Sequence, residues 1–275
     1  ENKYELVTVE DCIDYIYGNG DIPDNAALLT FDDGYKDHYE NVFPILEKKD
    51  IQGCFFPPAK AILKNEVLDV NKIHFILAVN EEKDNIDDLI DRIYVLLDRY
   101  KKRYDLKSKK EYYSELAVEG RYDPPEIIFI KRLLQRELPE EVRGKIVNTL
   151  FNEYVNVEED VFSKELYLDM EQIKCMQRNG MHIGSHGYDH YWLDSLPHEK
   201  LEDEIERSVE FMNKIGTPKK LWTFCYPYGA HNYDIRQLLS EKGFRLGFTT
   251  EHGIAELNKK SAMRLLRIDT NEISF

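Results

Sequence analysis

The chain has 275 residues, 42% hydrophobic and 12% aromatic, which is enough to bury the core of one large α/β domain or two smaller ones. Its 52 acidic residues against 37 basic ones give a formal net charge of −15. This charge repels anionic phosphate backbones and therefore excludes nucleic acid as an expected partner. No stretch approaches the ~20 consecutive apolar residues of a membrane-spanning helix.

The expected location follows from the first residues of the sequence. Residues 1–10 lack the basic and apolar regions of a signal peptide, so we expect a cytoplasmic or membrane-peripheral protein. The first residue is not methionine, and trimming of the N-terminus leaves an exported form open.

The first 64 residues predict a helix followed by a strand–helix–strand unit. A capping-box pattern at residues 8–11 predicts a short helix after Thr8. The apolar run Ala26–Phe31 predicts a strand buried on both faces, helical spacing returns after Gly34, and Cys54–Phe56 predicts a second strand. A strand buried on both faces is typical of a parallel sheet.

Residues 65–165 differ from the rest of the chain in glycine content and in the pattern of apolar residues. They contain two of the 14 glycines and show no strand pattern, whereas segments such as Ile86–Leu97 place apolar residues at i, i+3, i+4 and i+7. We interpret this region as a helical insertion between a first part (1–64) and a second part (166–275) of one domain. Two roles stay open: a lid or partner-docking element, or a bundle that packs on its parent domain.

Alternation of helices and strands resumes after residue 166. The predicted helices are 170–179, 201–215 and 235–242, and the predicted strands are 181–185, 221–225, 244–249 and 265–268. This order implies a parallel sheet, either open or closed into a barrel, with ligand chemistry at the carboxyl ends of the strands.

Polar side chains follow the predicted strands 26–31 and 181–185, and Tyr226-Pro227-Tyr228-Gly229 follows the predicted strand 221–225. Asp32 and Asp33 leave their strand in different directions, so one can bind a metal while the other accepts a proton, although Asp-Asp-Gly is also a common turn. His186 and His190 at i, i+4 would share one face of a helical turn and could bind one cation, or else lie in the core or at the surface. Two histidines with one carboxylate leave coordination positions for water and substrate, as catalytic sites require.

These segments resemble the polysaccharide deacetylases of carbohydrate esterase family 4. LLTFDDGYKDHYENVFPILEKKDIQGCFF is similar to the first family motif, IGSHGYDHYWLDSL to the metal-binding histidine motif, and FCYPYG to the third motif. The resemblance covers about residues 20–62 and 168–270 and excludes the helical insertion. It implies a distorted (β/α)7 TIM-like barrel and metal-dependent removal of an acetyl group, first of all N-acetyl, from a sugar.

The resemblance also assigns roles in the reaction. Asp33, His186 and His190 would hold a divalent metal, most simply zinc, with cobalt, nickel or manganese as alternatives. Asp32 would be the general base, and the backbone N–H of Tyr228 would help to hold the oxyanion.

Three further residues are expected to bind substrate. Tyr226 offers a face for stacking on a sugar ring, with packing in the core as the alternative, and Pro227 would fix the shape of the loop, as it would in an ordinary turn. His231 could contact sugar or could be an exposed residue at the start of a helix.

The sequence departs from the family pattern at several positions. Cys225 stands where the third motif usually has an arginine that orients the base, and Gly187 stands where a serine or threonine is usual. The Leu-x-His motif that often supplies the general acid is absent from residues 244–275, so the acid is unassigned. His252 is the one histidine in that segment, and its surroundings resemble a plain turn.

We therefore expect a metal-dependent deacetylase acting on a surface polysaccharide or its precursor. The acidic charge favours a neutral oligosaccharide or a lipid-linked glycan over a polyanion as substrate. Two alternatives stay open: a metal-dependent hydrolase of a non-sugar amide, and a catalytically impaired homologue that binds glycans or partners. The sequence leaves the oligomeric state, the sugar and the position of its acetyl group undetermined.

Overall fold

The computed structural model describes residues 3–120 and 123–273 and divides the chain into two compact units. The sheet unit comprises Glu1–Glu66 and Ser163–Phe275, and the helical unit comprises Val67–Phe162. The helical unit therefore interrupts the sheet unit in the sequence.

All ladders between the strands of the described residues are parallel, and the one antiparallel pairing among these residues is an isolated bridge between Tyr35 and Tyr167. The strands are β1 (Glu5–Leu6), β2 (Ala26–Ala27), β3 (Leu29–Asp32), β4 (Gly53–Phe56), β5 (His182–Ile183), β6 (Thr223–Cys225), β7 (Leu246–His252) and β8 (Leu265–Arg267). They form the ladders β1-β2, β3-β4-β5 and β6-β7-β8, and an isolated parallel bridge between Ser185 and Phe224 joins the last two ladders. The predicted parallel α/β fold is confirmed, but the pairings among residues 3–120 and 123–273 do not close into a barrel.

Two predicted strands are shorter than the sequence indicated. The run Ala26–Phe31 breaks at Leu28, because β2 pairs with β1 whereas β3 pairs with β4. Its residues are half-buried, so the prediction that both faces are buried is wrong. Within the predicted strand 181–185, only His182–Ile183 pair with β4. Ser185 lies against β6, where its N–H donates to Thr223 O at 3.0 Å.

The predicted helices 170–179, 201–215 and 235–242 differ by at most three residues from helices of the structure, and the described residues contain twelve α-helices. They are α1 (Val9–Tyr17), α2 (Phe43–Lys48), α3 (Ala59–Lys64), α4 (Asp69–Glu82), α5 (Ile86–Tyr104), α6 (Lys109–Leu116), α7 (Pro125–Arg132), α8 (Glu140–Leu150), α9 (Glu159–Leu166), α10 (Met170–Arg178), α11 (His198–Ile215) and α12 (Tyr233–Lys242). The capping box of α1 is confirmed, because Thr8 Oγ1 accepts from Asp11 N at 3.1 Å while Thr8 N donates to Asp11 Oδ2 at 2.8 Å. None of the helices in the described part is long and apolar enough to cross a membrane.

The helical unit contains no strand within residues 67–120 and 123–162. The amphipathic stripe predicted in α5 is confirmed, since Leu89, Ile93 and Leu96 are buried while Val95 is 48% exposed.

The core of the sheet unit lies between α1 and the strands that carry the polar residues. Val9 and Cys12 of α1 belong to one buried cluster with Phe56 of β4 and Phe248 of β7, and Phe56 is paired in register with Asp32. Packing at Phe56 therefore supports the strand ends directly.

We predict that Phe56→Ala lowers the free energy of unfolding of the sheet unit by about 3–5 kcal/mol, because it leaves a cavity in a fully buried position. Both tryptophans, Trp192 and Trp222, lie in this unit, so urea unfolding followed by tryptophan fluorescence measures it selectively. Ile45→Ala is the control, since Ile45 is 57% exposed and its removal should change stability by no more than about 0.5 kcal/mol. Equal losses in the two variants would contradict the proposed packing.

Stability should also depend on His182 of β5. Burial lowers the pKa of His182 to about 3, and its Nε2 lies 2.8 Å from Thr223 Oγ1. The unfolded imidazole, with a pKa of about 6.5, binds a proton that the folded one does not, so stability present above pH ~6.5 is lost as the pH falls toward 3. Between pH 7 and pH 5 the parent should lose about 2 kcal/mol more than His182→Gln in urea unfolding. Parallel pH profiles would contradict this prediction.

Candidate active site

The predicted site residues come together at the carboxyl ends of the strands. Asp32 ends β3 and Asp33 follows it, whereas His186 follows β5 by three residues. Because neighbouring parallel strands end at the same edge of a sheet, residues far apart in the sequence meet there.

Asp33, His186 and His190 form one cluster. Asp33 Oδ1 lies 3.4 Å from His186 Nε2 and 3.3 Å from His190 Nε2, and the imidazole side chains are 4% and 6% exposed. Zinc ligands at about 2.0–2.1 Å in a tetrahedron are separated by about 1.6 times that distance, or ~3.3–3.4 Å. The two separations from Asp33 therefore match tetrahedral zinc coordination, and all three candidate ligand atoms lie within 4.8 Å of one another and are of types that bind a divalent cation.

One ring nitrogen of His186 is oriented by the backbone of β6. Its Nδ1 lies 2.7 Å from the carbonyl oxygen of Cys225, which can only accept a hydrogen bond. Nδ1 therefore carries the proton in the neutral ring, and the lone pair of Nε2 points toward Asp33. Nδ1 of His190, by contrast, is buried and has no hydrogen-bond partner among the described residues.

The expectation that His186 and His190 share one face of a helical turn was wrong, because residues 186–190 do not form such a turn. They form a loop in which Gly187 and His190 have left-handed backbone conformations, with φ of +75° and +59°. The imidazoles meet because this loop turns back on itself, with ring centroids 4.7 Å apart.

Asp32 is paired with an arginine that the sequence analysis missed. Arg267 of β8 donates from Nη1 to Asp32 Oδ1 at 2.9 Å and from Nη2 to Asp32 Oδ2 at 2.7 Å. Its Nε donates to Thr249 O at 2.7 Å, which fixes the plane of the guanidinium. The sequence feature that could have indicated this pairing is a basic residue within the otherwise apolar predicted strand 265–268.

The Asp32–Arg267 pair keeps the carboxylate ionised. Burial by itself raises the pKa of Asp32, but the positive charge of His186 in its protonated form and the hydrogen bonds from Arg267 outweigh burial and lower it below its usual value. Hydrogen bonds from His186 and His190, in the ring forms that carry a proton on Nε2, likewise outweigh burial and lower the pKa of Asp33. Cys225, at the usual position of the family arginine, is fully buried.

Tyr228 lies beside the histidine cluster. Its ring stacks on Trp192 with centroids 4.4 Å apart and meets the ring of His190 edge-on at 4.7 Å. Its φ is +57°, so the backbone of a bulky residue is held in the left-handed region by these contacts.

The three residues expected to bind substrate are mostly engaged within the protein. Tyr226 is fully buried and its hydroxyl donates to Met263 O at 2.9 Å, so its ring packs in the core and is not available for stacking on a sugar. Pro227 is also buried. His231 places Nδ1 2.9 Å from Arg236 Nη1 and packs its ring on Tyr226 at 4.9 Å.

His252 does not lie in a buried site. Its imidazole is 66% exposed, and its Nδ1 lies 2.5 Å from a carboxylate oxygen of Glu272.

A comparison with family models and a comparison with curated proteins agree on one family. The model of the family "Polysaccharide deacetylase" matches residues 19–94 and 143–247, more than half of the chain, and extends into the helical unit at both of its ends. Chitin deacetylase 2 of Saccharomyces cerevisiae is 32% identical over 103 residues, which are 38% of this chain and 30% of that protein. Poly-beta-1,6-N-acetyl-D-glucosamine N-deacetylase of Escherichia coli K12 is 43% identical over 47 residues, which are 17% of this chain and 7% of that protein. The matched regions thus span about a third or less of these curated relatives.

Solved structures share the fold at low sequence identity. The Streptococcus pyogenes deacetylase PplD has a TM-score of 0.52 at 16% identity, covering 96% of this chain and 73% of that one. IcaB from Ammonifex degensii has a TM-score of 0.52 at 18% identity, covering 96% and 76%. With the family match over most of the sheet unit, these comparisons show that the chain belongs to the polysaccharide deacetylase family.

Proposed function

We propose that the protein is a divalent-metal-dependent deacetylase that hydrolyses an N-acetyl group on a sugar of a surface polysaccharide or its precursor. The cluster of Asp33, His186 and His190 beside the ionised Asp32 carries the proposal, because it combines three side chains that could bind a metal with a carboxylate that could accept a proton. The relatives support the substrate class, since one is named a chitin deacetylase and another an N-acetyl-D-glucosamine polymer N-deacetylase.

We also infer that the parallel strands form the wall of a distorted barrel. The order β3-β4-β5 and β6-β7-β8, joined by the bridge between Ser185 and Phe224, supports this architecture. Such an arrangement faces the carboxyl ends of all the strands toward one site.

In the proposed reaction the clustered residues have separate roles. A divalent ion held by Asp33, His186 and His190 would polarise the acetyl carbonyl and lower the pKa of a water molecule. Asp32 would take the proton of that water as its oxygen attacks the carbonyl carbon, since Arg267 keeps the carboxylate ionised and in one orientation. The N–H of Tyr228 would donate to the oxyanion. As the C–N bond breaks, the proton taken up by Asp32 would pass to the leaving nitrogen, and the acetic acid formed would give up its own proton to the amine, so that acetate and the protonated amine are released and Asp32 is again ionised.

Removal of one metal ligand should abolish both metal binding and activity. We predict that Asp33→Ala and His190→Ala lower zinc affinity more than ~100-fold, because even residues that only orient ligands contribute 10–100-fold. Zinc content by elemental analysis and acetate release from N-acetylglucosamine oligomers would be measured on the same samples. His198→Ala is the control, since His198 has a side chain that is 79% exposed and lies next to Glu202 on α11. A parent protein that binds no divalent metal would overturn the proposal.

Removal of Arg267 should separate metal binding from catalysis. We predict that Arg267→Ala and Arg267→Lys retain zinc while kcat falls by about 10²–10⁴-fold, the usual contribution of general base catalysis. Lysine should not restore activity, because its single ammonium cannot form the two parallel hydrogen bonds to Asp32.

Arg264→Ala is the matched control, since Arg264 is 52% exposed and lies 3.8 Å from Glu251. Full activity of Arg267→Lys, or loss of zinc together with activity, would contradict the role assigned to Arg267.

A further inference from the structure

A single buried carboxyl group holds the loop between the two histidines. Glu204 of α11 is 3% exposed, and its Oε1 accepts from Tyr188 N at 2.7 Å and from Asp189 N at 2.9 Å. A Cβ at Gly187 would lie 2.9 Å from the same oxygen, so glycine at this position allows the carboxyl group to approach the backbone.

The first turn of α3 holds the carbonyl groups of the same loop. Ala59 N donates to Gly187 O and Lys60 N donates to Tyr188 O, both at 3.0 Å, and the Lys60 ammonium lies 2.7 Å from the Asp189 carboxylate. Residues 187–189 are therefore held by α11 through their N–H groups and by α3 through their carbonyls. Of these contacts, only the hydrogen bonds donated by Tyr188 N and Asp189 N depend on a side chain outside the loop and α3, which is that of Glu204.

His190 depends on this support more than His186 does. His186 is oriented through Nδ1 by a backbone carbonyl, whereas Nδ1 of His190 has no hydrogen-bond partner among the described residues. The left-handed backbone of His190 is also one that a non-glycine residue rarely adopts by itself. The direction of its ring is therefore set by the backbone of the loop and by the contact with Tyr228.

We propose that Glu204 is a positioning residue that fixes the loop 187–189, directs Nε2 of His190 toward Asp33 and so sets the metal affinity of the site. This inference rests on the proposed function, because it requires that Asp33, His186 and His190 bind a metal.

The chemistry of Glu204 indicates which substitutions keep its hydrogen-bond acceptor and which remove it. Burial, with a smaller effect of the Asp189 carboxylate, raises the pKa of Glu204 to about 8. At neutral pH the group is largely a neutral carboxyl that accepts two hydrogen bonds on one oxygen, and glutamine presents a similar oxygen. Methionine has a comparable length but offers no oxygen acceptor.

The experiment compares Glu204→Gln and Glu204→Met in the full chain after removal of bound metal. Zinc binding would be measured by calorimetry at pH 7, and the visible absorption spectrum of added Co²⁺ would report the geometry of its ligands. Circular dichroism must show each variant to be folded at the temperature of the measurement.

We expect Glu204→Met to lower zinc affinity by about 10–100-fold and to change the Co²⁺ spectrum, because the two loop N–H groups lose their acceptor. Glu204→Gln should bind zinc like the parent and give the parent spectrum. Glu210→Ala, an exposed glutamate on the same helix, should equal the parent in both measurements. If Glu204→Met does not fold, Glu204→Asp replaces it with the same expected loss, since its carboxyl group is drawn back by one methylene.

The outcomes distinguish this inference from the proposed function. A parent that binds zinc, together with a folded Glu204→Met that binds it equally and gives an unchanged Co²⁺ spectrum, would overturn the positioning role alone. Loss of zinc in Glu204→Gln as large as in Glu204→Met would also overturn it, because the acceptor is retained there. A parent that binds neither zinc nor Co²⁺ would overturn both proposals.

Discussion

Parallel pairing of β3, β4 and β5 is the constraint on which the candidate site depends. The register aligns Phe31 with Phe55 and Phe55 with Ile183, so β3 and β5 run in one direction on either side of the buried β4. Their carboxyl ends consequently deliver Asp33 and His186 to the same edge. The bridge from Ser185 to Phe224 then brings β6 alongside, and the Cys225 carbonyl reaches the ring of His186.

The second requirement of the candidate site is an ionised carboxylate close to the cluster of Asp33, His186 and His190. Two carboxylates in succession repel each other and lose water on burial, so Asp32 needs a nearby positive charge to stay ionised. The guanidinium of Arg267 provides this charge from β8, whereas the family resemblance placed an arginine at the position of Cys225 on β6. The absence of that arginine was one reason to consider a catalytically impaired homologue, and the pairing of Asp32 with Arg267 removes it.

At three residues of the site the backbone departs from its common conformations. Asp33, His190 and Tyr228 are non-glycine residues with φ between +57° and +70°. Such conformations cost of order 1–3 kcal/mol each and persist when the surrounding structure imposes them. The structure supplies these restraints through the Trp192 stack on Tyr228 and through the Glu204 hydrogen bonds to the histidine loop.

Local patterns and short motifs were enough to predict the parallel α/β order, the helical region, the pair Asp32–Asp33 and the pair His186–His190. The pairing of Arg267 with Asp32, 235 residues away, and the burial of the Tyr226 ring became visible only in the folded chain. The folded chain therefore corrected the expectation for Tyr226. It also replaced the predicted helical turn at residues 186–190 with a loop fastened by Glu204. Local spacing carries no information on such contacts, because they arise when distant strands and helices pack around one edge of the sheet.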